Sequence, residues 1–498
     1  MKKTLLLILA TIFISAGLYA KEKKNVSDKT INVLPGYSTM EMDMVSYGNT
    51  VYEAVLGMNH TDLSKGTPIF INKYIDNKYN STLQIDVEGF SNYEFREPYS
   101  HYDFLKLYVL GPDEIILTLY SGFSDNRFAF FRIKDDKVIS YNSYSLKNQR
   151  AYETQFYAFD GKDTVYVAYN GQDDFQKTGW DLYLLSFDLN GNLKNSVKVY
   201  TAKNDELTGL SAFADNVYLE IRRTFEKQAV LQLDGQLHLK KIWACKYKGS
   251  DIRYIILKSG TETTVNGSNG PDEKGTSLVE IIIENHNENK NLSYMSRFSA
   301  DGDFICSYVI EESTADNGFN YCKEKISDEG ILFFGHRSYY DPVDWLKDKD
   351  VTYTSYFMDW DGNKLYEKNY RQHGDLNFKK FALVDGKFFC SGENYYESTG
   401  IGHAAYTYLV DVEPKDTDFV HIEKSDYNPL AAPQDPKLAE EYNKEMDFWN
   451  EAVMVESIEI PEWDFGYKMK CIRLPFKHKN PGSKSITESL PLFDFSER

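Results

Sequence analysis

Cysteine is scarce. The 498 residues hold five, at Cys245, Cys306, Cys322, Cys390 and Cys471, and no two form a CxxC pair. That spacing excludes a disulfide framework, a zinc ribbon and a dithiol redox centre, and leaves small apolar side chains to be buried. Basic charge is also short, with 56 Lys and Arg against 75 Asp and Glu and a formal net charge of −19. Such a surface repels a phosphate backbone, so nucleic acid is excluded as a partner. Beyond the N-terminus no stretch approaches the ~18 consecutive apolar residues of a membrane helix, so no membrane insertion is expected. Catalytic signatures are missing as well: there is no HExxH, GxSxG or P-loop, and the nine histidines are scattered without ligand spacing. No metal and no cofactor is expected. Carboxylates are too numerous for their abundance to point to an acid/base pair.

The one long apolar run opens the chain. Lys2 and Lys3 precede Leu5 to Tyr19, and Ala20 stands before Lys21-Glu22-Lys23-Lys24. This is the layout of a secretory signal peptide over residues 1–20, with cleavage after Ala20 or after Gly17. The expected location is therefore the periplasm or the extracellular space.

Proline is sparse at 14 residues, whereas Tyr and Phe reach 38 and 31. That balance favours pleated, half-buried surfaces and an all-β chain. A repeat is legible in the turns. From Gln155 to Tyr200, QFYAFDG, KDTVYVAYNG, WDLYLLSFDLNG and NLKNSVKVY read as four antiparallel strands joined by Asp-Gly and Asn-Gly turns. The third-to-fourth hairpin recurs at Ile69, Phe130, Ala229, Ser296, Tyr356 and Tyr408. The first-to-second hairpin, counted independently, also gives seven, one of them vague around YKGSDIRYIIL. A four-stranded unit cannot bury both faces alone, but units packed radially cover one another. The expected fold is a seven-bladed β-propeller of four-stranded antiparallel blades over residues 37–425, with 21–36 as a possible ring-closing strand. In Asp359-Trp360-Asp361-Gly362-Asn363, which looks like part of a calcium loop, the aspartates are read as turn formers.

Residues 426–498 form a different segment. Pro436 to Val453 has a proline start and Leu438, Tyr442, Met446 and Trp449 at helical spacing, which predicts one amphipathic helix over 436–453. MVESIEIPEW and YKMKCIRLPF then read as two strands. The segment is expected to pack on the ring; the other possibility is that Trp449 docks on another protein.

No WD40 Gly-His and Trp-Asp pair and no kelch Gly-Gly doublet is present, and Ser299-Ala300-Asp301-Gly302-Asp303-Phe304 only approaches a sialidase aspartate box. With its leader and its Tyr-, Asn- and Asp-rich units, the chain resembles exported β-propeller proteins of unknown function from Gram-negative bacteria. That resemblance is one of fold and carries no functional residue over.

Function is expected on one rim. In a propeller the second-to-third and blade-to-blade loops share a side, and here those stretches read as long and chemically varied. GHRSYYDPVDWLKDKD from Gly335 and GENYYESTGIGH from Gly392 concentrate His336, Arg337, Tyr339, Tyr340, Asp341, Trp345, Tyr395, Tyr396 and His403. Flat aromatics with polar tips stack on sugar rings or extended peptides, and Arg can grip a carboxylate. The reading that follows is a non-catalytic binding or scaffold propeller for a glycan, peptide or envelope protein. The alternative is a carbohydrate-active hydrolase or lyase with Asp or Glu at the channel mouth.

Overall fold

The computed structural model describes residues 37–59, 68–76, 78–87, 105–121, 127–145, 150–172, 181–201, 206–213, 215–224, 227–245, 251–259, 277–285, 290–298, 303–314, 317–326, 330–339, 351–372, 376–384, 387–396, 400–409, 420–421, 424–425, 428, 431, 436–458 and 469–474. Strands dominate them, and within each sheet successive strands pair as an antiparallel meander. The first sheet is β1 (Tyr37–Tyr47), β2 (Thr50–Asn59), β3 (Ile69–Ile75) and β4 (Lys78–Val87). The second is β5 (Leu105–Gly111), β6 (Glu114–Ser121), β7 (Arg127–Lys134) and β8 (Lys137–Ser145). The third is β9 (Arg150–Phe159), β10 (Thr164–Gln172), β11 (Asp181–Asp188) and β12 (Leu193–Tyr200). The fourth is β13 (Glu206–Phe213), β14 (Asn216–Thr224), β15 (Lys227–Asp234) and β16 (Leu239–Cys245).

A ten-stranded sheet follows. Eight of its strands are β17 (Asp251–Ser259), β18 (Ser277–Asn285), β19 (Lys290–Phe298), β20 (Phe304–Thr314), β21 (Asn317–Ile326), β22 (Gly330–Tyr339), β23 (Val351–Asp359) and β24 (Asn363–Gln372), and two short strands from the tail complete it. Among the described residues strand pairing joins its two halves at Thr314 of β20 and Asn317 of β21, and Tyr308 of β20 donates to the Trp360 carbonyl at 2.8 Å. The last sheet is β25 (Leu376–Val384), β26 (Lys387–Tyr396) and β27 (Gly400–Leu409). Short pieces complete the set: β28 (Val420–His421), β29 (Lys424–Ser425), helix α1 (Pro436–Ala452), β30 (Met454–Ser457) and β31 (Met469–Leu474).

The sheets are apolar on both faces, and the strand period of two explains how they stack. In β6, Ile115, Leu117 and Leu119 join Tyr52, Ala54 and Leu56 of the first sheet in one core. The alternate residues Ile116 and Tyr120 join Val165, Val167 and Tyr169 of the third sheet in the next. On the far face of β10, Tyr166 and Ala168 meet Val217, Leu219 and Ile221 of the fourth sheet. Met44, Val51 and Tyr74 of the first sheet then pack on Ala382 and Phe389 of the last, with the Tyr74 and Phe389 rings 4.5 Å apart. First and last sheets are thus neighbours, and the stack returns to its start. This is the arrangement of a β-propeller. Each buried Leu, Ile or Phe contributes ~1.5–3 kcal/mol, which only face-to-face stacking lets a four-stranded sheet collect on both sides.

Several details differ from the sequence reading. Around Asp251 there is no tight hairpin: Asp251–Ser259 is one strand whose partner, Ser277–Asn285, lies beyond residues 260–276. The expected fourth strand of the last sheet goes elsewhere, since Val420–His421 pairs with β24 of the preceding sheet. Helix α1 ends at Ala452, and Trp449 is fully buried in the core shared by the third and fourth sheets, so it has no surface to offer another protein. The two predicted tail strands are present as β30 and β31. The signal-peptide segment 1–20 and the segment 21–36 lie outside the described residues. Among the described residues no helix is long and apolar enough to cross a membrane.

Candidate functional site

The two rims of the ring are built differently. On one of them three third-to-fourth turns share one form. Asp188 Oδ1 accepts from the amides of Asn190 and Asn192, both at 2.8 Å, while Oδ2 accepts from the Asn192 side chain at 2.8 Å. Asp359 repeats this, with the amides of Asp361 at 2.9 Å and Asn363 at 2.7 Å and the Asn363 side chain at 2.8 Å. Asp234 repeats it again, with Gln236 and His238 amides at 2.9 Å. The left-handed position falls on Gly191 (φ 78°), Gly362 (φ 87°) and, in the middle turn, Leu237 (φ 68°). Leu237 tolerates that cost because its side chain is buried in the core between the third and fourth sheets. The Asp-Gly pair at Asp234-Gly235 therefore does not mark the left-handed residue. The Asp359 carboxylate, part of the calcium-loop lookalike, is engaged with the donors of its own turn.

These turns also bind neighbouring sheets together. Lys73 Nζ of the first sheet donates to Asp113 in the first turn of the second and lies 3.9 Å from Asp136 in its other turn. Tyr52 donates to Asp113 at 3.2 Å, and Ser81 to Asp136 at 3.3 Å. The second sheet grips the third through Arg132 to Asn190 Oδ1 at 3.1 Å, Asn142 to the Asn190 carbonyl at 2.8 Å, and Tyr144 to the Gly191 carbonyl. Lys162 then reaches Asp215 of the fourth sheet at 2.7 Å. The hydrogen bond from Lys73 holds the Asp113 carboxyl below its ordinary range. Burial pushes the Tyr144 phenol up to about 12, so it stays a donor.

Inner strands carry latches of another kind. The innermost strand of a blade has an edge whose amides need partners. Asp43 Oδ2 of β1 accepts from the Leu107 amide of β5 at 2.8 Å, and Asn170 Oδ1 of β10 from the Leu207 amide of β13 at 3.0 Å. A buried polar cluster sits on the face of the first sheet turned towards the last. Glu53 Oε2 accepts from Asn72 and from the Tyr74 hydroxyl, each at 2.9 Å, and Thr82 donates to Asn72 Oδ1 at 2.7 Å. Burial first, and then the Glu53 charge, raise the Tyr74 phenol well above its usual range, keeping it protonated. Glu53 and Asn72, polar residues inside the otherwise apolar stretches of β2 and β3, are the sequence signal for this cluster, but a polar residue in a strand does not by itself separate a solvent face from a buried one.

The candidate binding residues lie towards the opposite rim, and several are in strands. His336, Arg337 and Tyr339 end β22; His336 is in register with Asn320 and Tyr353, and Arg337 with Phe319 and Thr352. Tyr395 and Tyr396 end β26, opposite Ile401 and Gly400, and His403 in β27 stands opposite Glu393. The expected long loop from Gly392 is therefore mostly hairpin, with only 397–399 between the strands. Because β22 and β26 are second strands of successive units whose first strands, β21 and β25, pack together, their C-terminal ends point to the same rim. Tyr340, Asp341 and Trp345 lie outside the described residues. The second-to-third connections are unequal in length: β2 ends at Asn59 and β3 begins at Ile69, and β22 ends at Tyr339 and β23 begins at Val351, but β14 ends at Thr224 and β15 begins at Lys227; the first-to-second connection from Ser259 to Ser277 is longer than any of these. Among the described residues no group of three His, Cys, Asp or Glu is placed to hold a metal ion.

No family model matches the chain, and no curated protein does. Among solved structures it is similar to the polysaccharide lyase Uly1 at 10% identity and TM-score 0.42, over 78% of this chain and 100% of that one. The β-propeller domain of the Trilobed protease from Pyrococcus furiosus gives 11% identity and TM-score 0.39, over 76% and 97%. A member of the DUF4221 family from Bacteroides vulgatus gives 11% identity and TM-score 0.31, over 77% and 97%.

Proposed function

We propose that the chain is an exported seven-bladed propeller that binds rather than transforms its partner, a glycan, peptide or envelope protein held at the rim of the second-to-third loops. The ten-stranded sheet counts as two blades, β17–β20 and β21–β24, because among the described residues their strand pairing is limited to Thr314 with Asn317. One observation carries the functional reading. The turn rim spends its Asp, Asn, Lys and Tyr side chains on capping itself and gripping neighbouring sheets, whereas the His, Arg and Tyr residues singled out for recognition stand at the other end of β22 and β26. A rigid scaffold with one committed rim leaves the opposite one for contact.

The test is a glycan and peptide array probed with the mature protein and with His336, Arg337 and Tyr340 changed together to alanine. Binding that disappears in the variant supports the reading. Unchanged binding moves the site away from these residues, and shortened glycan products on incubation would place the chain with carbohydrate-active enzymes. N-terminal sequencing of the secreted form tests export, with a new terminus at Lys21 or Leu18 expected.

A further inference from the structure

The elements after the last sheet meet the ring in reverse. β28 pairs with β24, and β29 with β20. Helix α1 follows on the fourth sheet, where the Ala244 amide donates to Met446 Sδ at 2.9 Å. β30 then adds to β12 of the third sheet, from Tyr200↔Met454 to Val197↔Ser457, and Ser196 donates to the Ile458 carbonyl at 2.6 Å. β31 finally adds to β4 of the first sheet, from Val87↔Met469 to Thr82↔Leu474. In each of the five cases the contact is with the outermost strand of a meander, the place where radially packed sheets diverge and cover one another least.

Helix α1 shows what that divergence requires. Tyr442, Trp449 and Val453 share a core with Val197 and Val199 of β12 and with Ile242 and Ala244 of β16, so the helix fills the wedge between two outer strands. The junction of first and last sheets differs in its connectivity. The two sheets are not consecutive in the chain and share no strand, and Met44, Val51 and Tyr74 of one pack on Ala382 and Phe389 of the other.

We infer that β28, β29, α1, β30 and β31 act as a strap that girdles the ring on its outer edges and holds the first and last sheets together from a distance. Helix α1 sets the spacing of β12 and β16, and the remaining attachments lie on β24, β20, β12 and β4, so opening the ring at its non-consecutive junction would shift these outer strands against the strap. This goes beyond ligand binding and is independent of it.

Hydrogen exchange on the full chain tests the idea against a chain ending at Lys468, which lacks β31. The strap predicts at least about tenfold faster exchange of the β3 and β26 amides around Tyr74 and Phe389, a junction β31 does not touch. Faster exchange confined to β4, the strand that lost its partner, would overturn it. Should the shortened chain fail to fold, a second variant decides. Asp86→Cys with Lys470→Cys, residues directly opposite in β4 and β31, is made in a Cys471→Ser background. Its disulfide should slow β3 and β26 exchange several-fold, reversibly with dithiothreitol, and slowing restricted to β4 and β31 would overturn the strap.

Discussion

The turn rim and the opposite rim are made from the same strands, yet polar residues mean different things on each. At the turn rim an aspartate is a structural part: Asp188, Asp234 and Asp359 each cap the turn that they begin, and Asp113 and Asp136 receive Lys73 from the sheet before. Across the ring, His336, Arg337, Tyr395 and Tyr396 stand in the last residues of β22 and β26, at the end of the sheet away from those turns. The lesson is that polarity and position in a repeat do not by themselves mark a site. What matters is whether turn geometry and neighbouring sheets have already claimed the side chain.

That contrast can be broken by substitution. The largest expected effect is Gly191→Ala. Its φ of 78° disfavours a side chain, and a Cβ there would come within 2.8 Å of Phe130 Cβ, so urea unfolding should show a loss of about 3 kcal/mol. Next is Asp188→Ala, which removes one carboxylate from two amides and a side-chain amide; about 1–3 kcal/mol is expected in the same assay. Asp359→Ala should match it, and a neutral result there would mean that the shared turn is not a shared stabiliser.

Lys73→Met should cost about 1 kcal/mol, since Asp113 is half exposed and water screens the pair. The pH dependence sharpens this. Asp113 is depressed in the folded chain, chiefly by its hydrogen bond with Lys73. Its contribution is therefore present above its ordinary value of about 4 and is lost as pH falls through the lower folded value. Melting temperatures of the wild type and Asp113→Asn should differ at pH 7 and converge as pH falls below the ordinary carboxylate range. A gap that stayed constant with pH would remove the ion pair from the account. Smallest in stability, under about 0.5 kcal/mol, are His336→Ala and Arg337→Ala, which should instead weaken ligand capture. A stability loss as large as that of Asp188→Ala would erase the division between the rims.

Much of the ring was legible in the chain because strand alternation and Asp/Asn-rich turns are local. The hairpins at Asp188 and Asp359 needed nothing beyond their own residues. Where a signal was vague, the reading failed: the stretch around Asp251 held one strand, and its partner began only at Ser277. In the candidate site, the stretch from Gly392 was read as a loop, whereas Tyr395, Tyr396 and His403 belong to a hairpin. Aromatic and β-branched content there fits a strand as well as a loop, so composition could not decide. Glu53 was invisible for a further reason: its hydrogen-bond partners are on another strand, and the face that buries it lies against a sheet more than three hundred residues away.

The amino-acid sequence by itself determined the units: strand lengths, turn types, the amphipathic helix and the two strands that follow it, all governed by neighbours a few residues apart. Only the tertiary structure decided that Trp449 is buried in a wedge, that the tail runs backwards over the outer edges, and that the first sheet packs against the last. Those outcomes depend on which open edges and diverging faces remain once every unit has formed, and such vacancies arise from radial packing of the whole ring rather than from any one segment.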